Sequence, residues 1–187
     1  MTPRSPILST ADIRRPLVAA AALVEFARGG YFRTTVADVA REAKISPAYV
    51  FKLYPRKEQL FVAALETCFE RIIDALEAGA DAAGSPRPDD VLDAMGEAYA
   101  DLIRDRSLLM LQVHAQSAAE TPEIGDALRA GLAKVTEFVR QRSAGSDDAV
   151  QRFIAYGQLC HLIVTARVDE SSAPWAKIVA HGIRHPE

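Results

Sequence analysis

The sequence contains no long apolar run. Its longest, Leu17 to Val24, is eight residues, where a spanning helix needs about 20. No membrane partner is therefore expected. Cysteine is scarce: Cys68 and Cys160 stand far apart and outside any CxxC pattern, so the chain reads as cytoplasmic, without a disulfide framework. The start carries Pro3, Arg4 and Pro6, which does not fit a secretory leader. β-branched alternation is almost absent, which argues against strands. Also missing are a GxSxG elbow, a P-loop, an HExxH helix and a nucleotide-binding glycine pattern. Nothing sets a nucleophile beside a base, so no catalytic residue or cofactor is assigned and the chain is not read as an enzyme. His181 and His185 have the i, i+4 spacing of a metal pair, but no third ligand follows and no metal site is assigned.

What the chain does have is alanine, apolar residues recurring at three and four, and an uneven charge. Residues 1–60 hold ten Lys/Arg against five Asp/Glu, a net of +5, while the rest carries −8, so the total of −3 hides a basic head on an acidic body. A localised nucleic-acid contact would look like this; chance clustering is the plainer account. The periodicity predicts an all-α chain of about nine helices. An arm over residues 1–11 precedes a helix over about 12–28, closed by Gly29-Gly30. Thr34-Thr35 with Asp38 open a short helix ending near Ala43. Ser46 followed by Pro47 opens another, over 47–53. A long helix starts near Lys57, and a loop follows at Gly84–Pro88. The remaining helices are expected over about 89–105, 107–119, 122–143, 147–168 and 173–183.

Two short helices joined by a tight turn in a basic segment form a helix-turn-helix pattern. Val36, Val39, Ala40, Ile45 and Val50 would face inward, and small Ala40 would let the helices cross closely. The second helix would offer Pro47, Ala48, Tyr49, Lys52 and Leu53 outward. Lys52 can donate to a guanine edge, and Ala48 or Tyr49 can touch a thymine methyl. Without Arg, Asn or Gln on that face, direct readout should be modest and phosphate contact and DNA shape should contribute more. Thr35, Ser46 and Lys57 are phosphate candidates, with Arg14, Arg15 and Arg33 auxiliary. The plain alternative for each cation is a solvated surface charge.

The stretch AAALVEFARGGYFRTTVADVAREAKISPAYVFKLYPRKEQL resembles the head of the tetracycline-repressor (TetR) family of transcriptional regulators. The resemblance rests on Ala21, Ala22, Phe26, Gly30, Tyr31, Thr34, Thr35, Asp38, Val39, Ala40, Ala43, Ile45, Ser46, Tyr54, Lys57, Glu58 and Leu60. Three positions depart from the pattern. Lys44 replaces a turn glycine, so the turn should be strained or differently shaped. Phe51 replaces a tyrosine whose hydroxyl would touch phosphate, and Leu53 replaces a histidine.

The resemblance implies a helix-turn-helix head over 1–60 and a ligand-binding and dimerisation body over 61–187. It implies a homodimer on operator DNA, a repressor released by a small-molecule effector. Met95, Tyr99, Leu102, Met110, His114, Phe138 and Tyr156 mix apolar surface with polar tips and are pocket candidates; plain core is the other reading. Val150, Phe153, Ile154, Gly157, Cys160, His161 and Val164 form an apolar stripe assigned to the dimer face, which would equally suit an ordinary core. The competing function is a helical small-molecule or partner binder whose grip on DNA is weak or lost.

Overall fold

The computed structural model describes residues 10–182, and within these the chain is helical with no strand. The elements are α1 (Thr10–Arg33), α2 (Val36–Glu42), α3 (Pro47–Leu53), α4 (Lys57–Asp81), α5 (Pro88–Leu102), α6 (Arg106–Ser117), α7 (Pro122–Ser143), α8 (Asp147–Ala166) and α9 (Pro174–Val179), with one 3-10 turn at Val168–Glu170. Most of the expected arm, residues 1–9, and His185 lie outside the described residues.

Caps explain why the short helices begin where they do. Thr35 accepts from the Asp38 amide at 3.2 Å, while the Asp38 carboxylate accepts from the Thr35 amide at 2.9 Å, a reciprocal capping box. Ser46 Oγ accepts from the Tyr49 amide at 3.2 Å, and Pro47 occupies the first turn, where no N–H is needed. Between them Lys44 sits at φ 56°, the left-handed region that costs a side-chain-bearing residue about 1–2 kcal/mol.

Helix α1 departs from expectation. It begins at Thr10 with Pro16 inside it, and its helical backbone resumes after a kink at Gly30 (φ 70°, ψ 175°) to end at Arg33. Glycine is required there twice over, because φ is positive and because a Cβ would stand 3.0 Å from His114 Nδ1. Helix α5 stops at Leu102, short of 105, since Asp105 is taken as the cap of α6, its carboxylate accepting from the Ser107 amide at 3.1 Å. Helix α8 stops at Ala166, where Arg167 turns left-handed at φ 50°.

One apolar core runs unbroken from Val18 on α1 through α4 to Val150 on α8. Phe26 and Phe61, both fully buried, meet edge to face at 4.8 Å and join α1 to α4. The head and the body are therefore packed on a common helix, α4. None of the helices is long and apolar enough to cross a membrane, among the described residues.

Candidate nucleic-acid interface and ligand cavity

The head presents α3 as the pattern predicts, with one correction. Val50 and Leu53 are buried, whereas Pro47, Ala48, Phe51 and Lys52 are exposed. Leu53 is thus an anchor and not part of the outward face: six residues beyond Pro47, it has rotated round to the side of Val50. Tyr49 is half-buried against the core. Phe51 stands 49% exposed and, lacking a hydroxyl, offers only an apolar edge.

The cations differ in how they are held. Arg14, Arg33 and Lys52 are exposed on the surface. Arg15 lies 5.2 Å from the Tyr54 ring centre, and the Tyr54 hydroxyl donates to the Arg15 carbonyl at 3.1 Å, tying α1 to the end of α3. Burial raises the Tyr54 pKa. Lys57 is half-buried, with its ammonium 4.6 Å from the Tyr31 ring centre, and burial lowers its pKa. Tyr31 in turn donates to Glu58 at 2.5 Å; burial, then the Glu58 contact, lifts its pKa to about 12. Tyr31, Lys57 and Glu58 therefore lock the start of α4 onto the turn after Gly30. The Thr35 hydroxyl donates to the Asp38 carboxylate at 2.6 Å, so it has no proton left for a phosphate. Ser46 Oγ only accepts in its cap and retains a proton to give. Arg56 reaches Glu123 at the start of α7 at 2.6 Å, an exposed pair worth no more than about 1 kcal/mol.

The body holds a cavity of about 570 Å³ between α4, α5, α6, α7 and α8, within the size range of small-molecule sites. Its lining mixes apolar residues, Phe69, Ile72, Leu76, Leu132, Val135 and Phe153 among them, with polar and charged ones. Of the pocket candidates, Tyr99 and Tyr156 line it. Met95 is fully buried core. Leu102, Met110 and Phe138 pack against the core instead. His114 faces the head at Gly30, where burial lowers its pKa.

The α8 stripe assigned to the dimer face turns partly inward within the chain. Val150, Cys160 and His161 are buried, Phe153, Ile154 and Gly157 line the cavity, and Val164 packs on the cluster of Ile103, Leu109 and Cys160. Phe153, Ile154, Gly157 and Val164 stay partly exposed, so the stripe is shared between the chain's own core and its surface. Exposed apolar residues of this end include Tyr156, Leu162, Trp175 and Ile178, at 58%, 54%, 56% and 76% exposure.

Most of the wall escaped the sequence reading, and its most informative member is Gln112. Gln112, 5% exposed, donates to the Leu108 carbonyl at 3.2 Å and to the Tyr99 hydroxyl oxygen at 3.4 Å. Tyr99 also meets His161 Nε2 at 2.9 Å. The signal was a lone polar residue in the run Leu108–Val113. Burial alone drives the His161 pKa down to about 4, so the ring is neutral. Among the described residues, no group of three His, Cys, Asp or Glu side chains is gathered for a metal.

Fold and site together define a helix-turn-helix protein whose helical body encloses a cavity. Residues 18–64 match the model of the bacterial regulatory proteins, tetR family, so the head is similar to that family over this segment. A TetR-like transcriptional regulator from Rhodococcus sp. RHA1 shares the fold, at 21% identity and a TM-score of 0.62, covering 94% of each chain. The transcriptional regulator FadR from Bacillus subtilis, in complex with stearoyl-CoA, is 14% identical with a TM-score of 0.67, over 90% of this chain and 98% of its own. The multidrug binding protein EbrR, complexed with imidazole, is 16% identical with a TM-score of 0.65, over 100% of this chain and 99% of its own. No curated protein matches the chain.

Proposed function

We propose that the chain is a homodimeric, DNA-binding transcriptional regulator, a repressor released from its operator by a small molecule. The observation that carries this reading is α3: anchored by Val50 and Leu53, it offers Pro47, Ala48 and Lys52 to solvent from a basic head similar to the tetR family. Lys52 and Ala48 read base edges in the major groove, with Tyr49 contributing its exposed edge. Ser46, Lys57, Arg14, Arg15 and Arg33 hold phosphates and set the register. Thr35 serves mainly as the cap of α2. One short helix reads few bases, so two copies must bind half-sites about 34–36 Å apart or a multiple of it. Leu162, Trp175 and Ile178 supply the apolar surface for pairing, beside the partly exposed stripe. Residues 1–60 act as the reader and 61–187 as the regulatory body, in the cytoplasm where DNA is reached.

The cavity supports the ligand half of the reading, as do the FadR and EbrR structures with bound molecules. Helix α6 links the two functions. Gln112 lines the cavity, and His114, on the same helix, abuts Gly30 of α1. A ligand that binds better when α6 is displaced favours a conformer with misplaced heads, by no more than its differential affinity for the two.

The test is fluorescence anisotropy on DNA fragments recovered by genomic footprinting with the full chain. Lys57→Ala should weaken binding to all sequences and flatten the salt slope by about 1. Unchanged affinity at low and high salt would remove Lys57 from the phosphate set. Absence of any salt-dependent DNA binding would leave the ligand-binding reading in its place, to which exposed Phe51 already lends weight.

A further inference from the structure

Three polar side chains from three helices meet at the largely apolar part of the cavity wall: Tyr99 of α5 and Gln112 of α6, which line it, and the buried His161 of α8. Their hydrogen bonds leave three groups unused, two of them on side chains that line the cavity. The Leu108 carbonyl can only accept, so the atom of Gln112 facing it is Nε2, and both amide hydrogens are spent on Leu108 and Tyr99. Both hydrogen bonds of the Gln112 side chain use Nε2, and Gln112 lines the cavity, so Oε1 is left for a ligand. His161 Nδ1 is buried without a partner. A proton on Nδ1 would be a buried donor with no acceptor, which is rarer than an under-used acceptor. The proton is therefore assigned to Nε2, which in this tautomer donates to Tyr99 Oη. Tyr99 Oη then accepts from both His161 and Gln112, and its own hydrogen is free to enter the chamber.

We infer that the effector is an apolar molecule whose inner end is uncharged and both accepts and donates a hydrogen bond, as a primary amide or lactam does, held by Tyr99 Oη–H and Gln112 Oε1. This deepens the regulator reading and rests on its premise that a small molecule fills this cavity. A carboxylate end finds no counter-charge here. The single cation lining the cavity among the described residues is Arg152, at the exposed rim, where Asp89, Asp93 and Glu97 also stand. An ionised group buried without a partner is strongly disfavoured. Burial meanwhile holds His161 neutral and raises the Tyr99 pKa, so neither can serve as an ion.

Titration calorimetry of the full chain with octanamide and octanoate at pH 7.5 tests this. Octanamide should bind at least about tenfold more tightly, since its amide meets both open groups while the carboxylate must shed water unpaired. Tyr99→Phe, which keeps the ring, and Gln112→Leu should each remove most of that preference. Equal affinities, a preference for octanoate, binding of neither, or a preference that survives both substitutions overturns the inference. DNA binding on the same preparations separates it from the regulator reading. Lost amide preference with intact DNA binding defeats only the effector class. Amide preference without DNA binding defeats the regulator and leaves the site standing.

Discussion

In the head, the polar residues that shape α2 and α3 lie in water: Thr35, Asp38, Ser46 and Arg41 cap or pair locally, each within three positions along the chain. In the body, Gln112 and His161 are 5% and 4% exposed and reach Tyr99, 13 and 62 positions away. The head's groups are interchangeable with water and keep their charges solvated until a polyanion arrives. The body's groups have no such alternative, so each unmet bond weighs more. A surface of the first kind suits phosphates, whose attraction is screened by salt. A chamber of the second kind suits a small molecule that brings the missing partners.

The contrast breaks first at the shared core. Phe61 belongs to both regions, touching Phe26 at 4.8 Å and Tyr31 at 5.5 Å. Phe61→Ala should cost about 3–5 kcal/mol, and near-ultraviolet dichroism and head-specific amide exchange should report one shared transition. Two transitions, with only one of them shifted, would show that head and body fold separately.

The second test uses acid. His161 has a folded pKa of about 4 against 6.5 when free, so the unfolded state binds the extra proton. Stability is then full above pH 6.5 and falls as pH drops to 4, by about 3 kcal/mol in order of magnitude. Asp38 has the same sign but acts lower in the pH range. Thr35 side-chain and backbone hydrogen bonds and Arg41 hold its pKa at about 2 against 3.8. Its contribution is present above pH 3.8 and lost as pH falls toward 2. Chemical denaturation against pH should show the body's loss first, and His161→Gln should flatten the interval between pH 6.5 and 4 while leaving the lower one.

This difference in range also decides what could be read from residue order. Thr35 with Asp38, and Ser46 with Pro47, act over one turn, so their spacing announced both helix starts. The family likeness over Val18–Leu60 rested on the same local pattern. Leu53 was misplaced because its side depends on how the last turn of α3 rolls against α1 and α2. The α8 stripe was legible as apolar, but its direction was not, because residues of α5 and α6 decide what it meets. Gln112 acquires its meaning only when three helices converge, so only its oddity in an apolar run was visible.

The smallest effect is expected at the turn. Lys44 sits at φ 56° in the head, and Ala144 at φ 53° ends α7 in the body. Glycine relieves about 1–2 kcal/mol of left-handed cost but adds freedom to the unfolded chain, so each of Lys44→Gly and Ala144→Gly should gain about 1 kcal/mol or less. Thermal unfolding measures both. Equal gains would mean that the head's turn is strained only by its dihedral angle. A loss at Lys44 alone would mean that its side chain holds the turn together, and the head's polar surface would then be structural as well as electrostatic. Lys44→Ala decides between these, because it removes the charge and keeps the strain: stability unchanged supports the dihedral account, while a loss supports the side chain.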